Sequence, residues 1–355
     1  MIIHRAVRRL SLATLLVAVL AVGAATPAAA AEGTYIQTNL VSDLPGMAPV
    51  VDPKLVNPWG LTRSATSPWW VSDNGMDFST LYRGNGTKVA LEVAVAGAPT
   101  GTVFNGTANF VVTQNNVSGP SRFIFATESG TILGWAPNVN PNTAILAETD
   151  PDAVYKGLAI GAVGTANYLY ATNFKAGTVD VFDGQFHHAT LSGDFSDPDI
   201  HAGFSPFGIA ALAGNLYVTY AKRDTTGHDD VAGPANGFVD VFDMSGHLLR
   251  RAATRGRLNS PWGVAIAPAD FGRFSGDLLV GNFGDGRINA IDPVTGEFLD
   301  QLRDASNRPI TIDGLWAIVF GGGPGSNSGP SNSLFFTAGI NDESDGLFGT
   351  ITAAS

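Results

Sequence analysis

The stretch "LNSPWGVAIAPADFGRFSGDLLVGNFGDGRINAIDPVTGEF", Leu258 to Phe298, sets four short apolar runs between turn residues. "PWGVAIAP" reads as a strand buried on both faces and "GDLLVGN" as a second. "GRINAID" alternates apolar residues as a third strand, and "EFLDQL" follows the turn "DPVTG" as a fourth. The order of events recurs in "VNPWGLTRSATSPWWVSDNGMDFSTLYRGNG" from Val56, in "YKGLAIGAVGTANYLYATNFKAGTVDVFDGQ" from Tyr155 and in "FSPFGIAALAGNLYVTYAKRD" from Phe204. A degenerate copy starts at "DGLWAIVF" and runs to "LFGTI". Aligned on Gly60, Gly157, Gly208, Gly263 and Ala317, the copies are spaced by 97, 51, 55 and 54 residues. The first interval is about double, so a further copy belongs inside it. "SRFIFATESGTILGWAPN" (Ser121 to Asn138) supplies its middle and end, and its opening is expected near "GTANFVVTQ". Six units of four antiparallel strands predict an all-β, six-bladed β-propeller, a fold in which radial repetition hides most strand edges.

The last unit offers only "LWAIVF", "SLFFTAG" and "LFGTITA" before Ser355. Thr34 to Val41, "TYIQTNLV", stands ahead of the first unit with a two-residue period and is expected to close the ring as the missing strand. The division predicted is therefore residues 1–31 as a leader and residues 32–355 as one propeller domain.

The leader reading rests on Arg5, Arg8 and Arg9, then "SLATLLVAVLAVGAA", then Ala29-x-Ala31 before Glu32. That is the layout of a secretory signal peptide with its cleavage site. No later segment reaches the roughly 18 apolar residues of a transmembrane helix, so a secreted protein, extracellular or periplasmic, is expected. Removing the three leader arginines leaves 17 basic against 31 acidic residues, a surface that repels nucleic acid and anionic lipid and attracts cations. Without any Cys the chain has no disulfide to brace it, and a large core must hold it together.

"NPWG", "WWVSDNG", "PTGTVFNGT", "FIFATESGTILGW", "DPDIHAGFSPFGI", "HDDVAGPANGFVDVFD" and "FSGDLLVGNFGDGRINAID", with the closing "NSLFFTAGINDESDGLFG", span essentially Thr34 to Ile351. Together they resemble the secreted bacterial NHL-like six-bladed propeller proteins of unassigned function. The resemblance implies a fold and an export route, and it carries no established activity or catalytic residue. Some members bear a PEP-CTERM sorting tail; this sequence ends in "TAAS", so sorting by that tail is not expected.

In a propeller the turns between second and third strands open on the same face as the connections entering each innermost strand. The first set holds Asn74, Glu128, Asn173, Tyr220, Asp224, Asn282, Asp285, Asn341 and Asp342; the second holds Asn57, Ser205, Asn259 and Asp313. Carboxylate, amide and backbone oxygens suit a hard cation, so Glu128, Asn173, Asn282 and Asp313 are the metal candidates, for Ca2+ rather than zinc. The remaining turn residues are candidates for a ligand face. Asn, Asp and Gly are also what tight turns require; Glu128 stands apart because Glu is not a turn former.

Trp59, Phe207, Trp262 and Trp316 recur at the start of the innermost strand and are expected to wedge adjacent blades, whereas Trp69 and Trp70 break the pattern and are expected to be partly exposed. Two non-repeating segments remain. One carries His187, His188 and His201, the other Asp224, His228, Asp229 and Asp230, and neither has the spacing of a zinc motif. A solvated loop is the expectation for both. No G-x-S-x-G elbow, phosphate loop or βαβ dinucleotide motif is present. Two functions follow: a monomeric binding module holding an extracellular partner, glycan or cation on its acidic loop face, or a calcium-dependent lactone or ester hydrolase like the gluconolactonase-type propellers, with calcium polarising the carbonyl.

Overall fold

The computed structural model describes residues 33–354; the leader and its cleavage site lie outside the described residues. Six small antiparallel sheets follow one another along the chain as the blades of a propeller. Blade 1 is Pro58–Thr62, Trp69–Asp73, Phe78–Tyr82 and Val93–Ala94. Blade 4 is Phe204–Leu212, Asn215–Lys222, Gly237–Phe242 and Leu248–Thr254, and blade 5 is Pro261–Ile266, Leu278–Asn282, Ile288–Ile291 and Phe298–Gln301.

The aligned glycines explain how the inner strands meet. A Cβ on Gly60 would run into the carbonyl of Thr100, one on Gly101 into the backbone of Leu158, and one on Gly208 into the carbonyl of Trp262. Each inner strand thus lies against the backbone of the next, a separation only glycine permits. Threonine hydroxyls tie the blades at this level: Thr100 donates to the Tyr155 carbonyl at 2.8 Å, Thr172 to Phe207 at 2.7 Å and Thr337 to Trp59 at 2.6 Å.

Blade 2 opens on Pro99–Phe104 and continues through Phe123–Thr127, Thr131–Trp135 and Ile145–Thr149. Its opening is therefore "PTGTVF" and not "GTANFVVTQ". The latter supplies Val111–Gln114, which pairs with Val117–Pro120 in a separate hairpin. Asn115 and Asn116 turn it with φ of 50° and 62°, the left-handed pair that a two-residue hairpin loop needs. Blade 3 departs from the expected four strands: Tyr155–Val163, Ala166–Asn173 and Thr178–Phe182 make three, and only a bridge from Phe182 to His188 marks the fourth position.

Blade 6 has Leu315–Phe320, Leu334–Ala338 and Leu347–Ala353, and the N-terminal strand Tyr35–Ser42 completes it as expected, antiparallel from Tyr35 opposite Ala353 to Ser42 opposite Leu347 with a one-residue register shift between Asn39 and Val41. A further pair, Val50–Val51, runs parallel to the end of that strand.

Apolar clusters fill the spaces between neighbouring blades. Trp69 and Trp70 belong to them and are buried, correcting the expectation of exposure. Adjacent residues of a strand face opposite sides of its sheet, so Trp69 packs on Phe335 of blade 6 while Trp70 stacks on Phe123 of blade 2 at 3.9 Å between ring centroids. Trp59, Phe207, Trp262 and Trp316 are buried as well, but they meet one another rather than wedging separate blade pairs. Trp316 stacks on Trp59 at 3.5 Å and on Phe283 at 4.0 Å, and its centroid lies 5.8 Å from Trp262 and 5.9 Å from Phe207. Residues from blades 1, 4, 5 and 6 thereby form an aromatic plug across the propeller axis. Below it the inner strands line an open channel of about 480 Å³, with Leu61, Leu158, Ile209, Val264 and Ile318 among its walls.

Candidate functional site

The residue preceding the aligned glycine is Trp59, Phe207 or Trp262 in three blades, with Trp316 preceding Ala317 in a fourth. In blade 3 it is Lys156. This lysine occupies the aromatic row and is buried, although lysine is rarely buried unless paired. Its backbone carbonyl accepts the indole N–H of Trp262 at 3.1 Å, and its Nζ sits 4.9 Å from the ring centre of Trp59. The ammonium is paired with the Glu128 carboxylate, and Asp229 Oδ1 lies 3.8 Å away.

Hydrogen bonds spread from this pair over the loop face. Asn74 Nδ2 donates to Glu128 Oε2 at 3.0 Å, and Asn57 Nδ2 donates to Asn74 Oδ1 at 3.2 Å and to Glu343 Oε2 at 2.7 Å. Trp316 donates its indole N–H to Asn57 Oδ1 at 3.0 Å, so the plug and the polar layer above it are bonded together. The backbone is bent to deliver these groups: Asn57 has φ 46°, and Asn341, Asp342 and Glu343 are left-handed in succession at 57°, 52° and 64°. Such a run costs of order 1–3 kcal/mol per residue and persists where the surroundings impose it.

Blade 4 adds its insertion. Asp224 accepts the backbone N–H groups of Thr226, Gly227 and His228 and folds the loop back on itself. His228 Nδ1 and Asp229 Oδ1 then stand 2.8 Å apart, and Glu128, His228 and Asp229 offer ligand atoms all within 4.8 Å of one another. The insertion was expected to be a solvated loop; His228 and Asp229 are exposed, yet they reach the mouth.

Burial holds the Glu343 carboxyl above its ordinary range, with the charges of Glu128 and Asp230 acting in the same direction and the Asn57 amide and Lys156 opposing them. Asp230 is raised chiefly by burial too, against the attraction of Lys156. The mouth therefore combines an ion pair, two amides and two carboxyls biased toward the protonated form, an arrangement of donors and acceptors for a polar ligand.

The other residues expected from the sequence divide in two. Asp313 accepts the backbone N–H of Asn341 at 2.9 Å, and Asn341 Nδ2 bonds Asp345 at 2.8 Å, so with the exposed Asp342 they shape the loop that carries Glu343. Asn173, Asn282, Asp285 and Tyr220 are turned into their own blades. Asn173 bonds Asp180, Val154 and Ala176. Asn282 donates to the Arg257 carbonyl and to Asp285, which also accepts from the Arg287 backbone N–H. Burial pushes the Tyr220 phenol well up. None of the hydrogen bonds described for Asn173, Asn282 or Asp313 reaches Glu128. Asn74 is the candidate brought directly to it. Lys156 and Glu343 had not been singled out. The signal for Lys156 was present in "YKG", which falls in the register of "PWG" and "PFG".

No protein-family model matches the chain. It is 32% identical over 333 residues, 90% of this chain and 80% of the relative, to the uncharacterized protein R648 of Acanthamoeba polyphaga mimivirus. Among solved structures, a structural-genomics protein of unknown function from Bacteroides thetaiotaomicron superposes with a TM-score of 0.55 at 9% identity, covering 89% of this chain and 76% of that one. The soluble aldose sugar dehydrogenase from Escherichia coli, in its apo form, gives 0.53 at 11% identity, covering 90% and 100%. At such identities the two structures speak for the fold. No described helix is long and apolar enough to cross a membrane.

Proposed function

Because this chain belongs to the same family as the mimivirus protein R648, itself uncharacterised, we propose its function from the site: it is a binding module whose channel mouth takes a hydroxyl-rich ligand such as a glycan unit. The observation that carries this reading is the bonded set Asn57, Asn74, Glu128, Lys156 and Glu343, drawn from blades 1, 2, 3 and 6 and floored by the aromatic plug. Adjacent carboxylates and amides present paired donors and acceptors at fixed spacing, which is what vicinal hydroxyls need, and the plug beneath favours capture over passage through the ring. The partner class is thus a neutral, hydroxyl-bearing molecule outside the cytoplasm, reached by export on the leader. Calorimetric titration with neutral oligosaccharides is expected to give saturable heat that Asn74→Ala and Glu343→Gln each reduce at least about tenfold, the loss of roughly one buried hydrogen bond to a polar partner. Native and variant proteins giving equal heats, or none, would remove the reading. For the export step, N-terminal sequencing of secreted material should begin within a residue or two of Glu32; intact Met1 there would contradict it.

A second reading, a calcium-dependent lactone or ester hydrolase, takes Glu128, His228 and Asp229 as the metal ligands and fails if Lys156 keeps the ion out. It requires lactone hydrolysis that calcium supports and EDTA abolishes.

A further inference from the structure

Two carboxylates, Glu128 and Asp229, and one histidine, His228, converge on the mouth, and a cationic group already stands among them. We propose that Lys156 is the resident cation of this site, holding the position a divalent metal ion would otherwise take between Glu128 and Asp229. Four observations carry the assignment. Lys156 stands in a row that is aromatic in four blades, at Trp59, Phe207, Trp262 and Trp316, and holds the small neutral Thr100 in blade 2, so packing alone does not call for a charged side chain there. It is fully engaged: Nζ bonds Glu128, lies 3.8 Å from Asp229 and faces the Trp59 ring, while its carbonyl is anchored by Trp262. Glu128, His228 and Asp229 present their ligand atoms around the same point. The lysine side chain is only 3% exposed, so a metal ion entering would leave a buried ammonium beside a dication. A dication bonded to Glu128 would stand beside that ammonium, and the two like charges repel one another.

The lysine thereby sets specificity: it holds the Glu128 carboxylate in place without free calcium. The assignment concerns the site proposed above for a hydroxyl-bearing ligand, but metal binding alone tests it, so either can fail while the other stands.

Terbium(III) serves as the probe, a calcium-like ion whose emission the adjacent indole of Trp59 sensitises. The native chain is expected to give no saturable sensitised emission that depends on Glu128. Lys156→Met and Lys156→Gln, with folding checked by near-UV circular dichroism, are expected to bind terbium at least about tenfold more tightly than the native chain, since each leaves the partly buried Glu128 carboxylate without its counter-charge. Adding Glu128→Gln to either variant should return the signal to the native level. Native emission that Glu128→Gln abolishes would overturn the assignment, as would a folded Lys156 variant that binds no more tightly than the native chain. If neither neutral variant folds, the native titration decides alone: emission that Glu128→Gln abolishes overturns the assignment, and its absence upholds it.

Discussion

Asp240 lies fully buried on the third strand of blade 4, 2.9 Å from Arg251 Nε, and Arg251 is shared with Asp197. Burial outweighs the guanidinium and pushes this carboxyl up to about 7. A carboxyl raised in the folded state binds a proton more tightly there than in the unfolded chain. Its contribution to stability is therefore present below the ordinary carboxylate range and is lost as pH rises through about 7. The thermal midpoint of the native chain is expected to fall over that interval, and Asp240→Asn to fall less. Equal slopes for the two proteins in calorimetry from pH 4 to pH 8 would remove the claim. Gly208 makes a simpler case, because a methyl group there meets the Trp262 carbonyl. Gly208→Ala should cost about 1–3 kcal/mol in denaturant titration, the range for overpacking a close contact. At this scale the sequence showed part of the site. Glu128 stood out because Glu is foreign to a tight turn, and its neighbour Asn74 came from the same alignment of turns. Lys156 escaped because the aligned row was read for its aromatics. Glu343 escaped because its approach depends on three successive left-handed residues, a conformation that "INDESDG" does not announce.

At the scale of elements, the closing strand carries the clearest consequence. Deleting Thr34 to Val41 frees the outer edge of Leu347–Ala353, whose other edge stays paired with Leu334–Ala338, and empties Tyr35's place among Phe271 and Phe274. The thermal midpoint is expected to drop sharply, and an unchanged midpoint would show that blade 6 does not need the strand. This strand was legible because a three-stranded last unit and an orphan alternating segment explain each other. The opening of blade 2 was not. "PTGTVF" is rich in threonine and short of large apolar residues, while "FVVTQ" alternates like a strand, and only packing against Leu158 shows which of them holds the axis. The missing fourth strand of blade 3 was equally hidden, since "HHAT" touches the sheet at one bridge without extending along it.

At the scale of the molecule, each blade packs on two neighbours and the aromatic plug joins four blades at the axis. Such a ring is expected to unfold in one transition, with calorimetric and van't Hoff enthalpies in a ratio of about one. Removing the closing strand should broaden that transition, because blades 1 and 6 then become ends that fray. A native protein that melts in two steps would show that the blades are not held as a unit.

The seam between Tyr35–Ser42 and Leu347–Ala353 joins the part of the described chain that leaves the ribosome first to the part that leaves last. Blades 1 to 5 are each built from strands near in sequence and can form as they emerge, whereas the first strand made is the last to find its place. Closing so long a loop adds little to the equilibrium cost, about 0.6 kcal/mol per doubling of its length, but contacts so distant in sequence slow folding. Until then, one copy's Tyr35–Ser42 can pair with another copy's Leu347–Ala353 through the same register. Rapid refolding at high concentration is therefore expected to yield strand-exchanged pairs of chains, and dilution should return them to chains closed by their own strand only as fast as that seam can open.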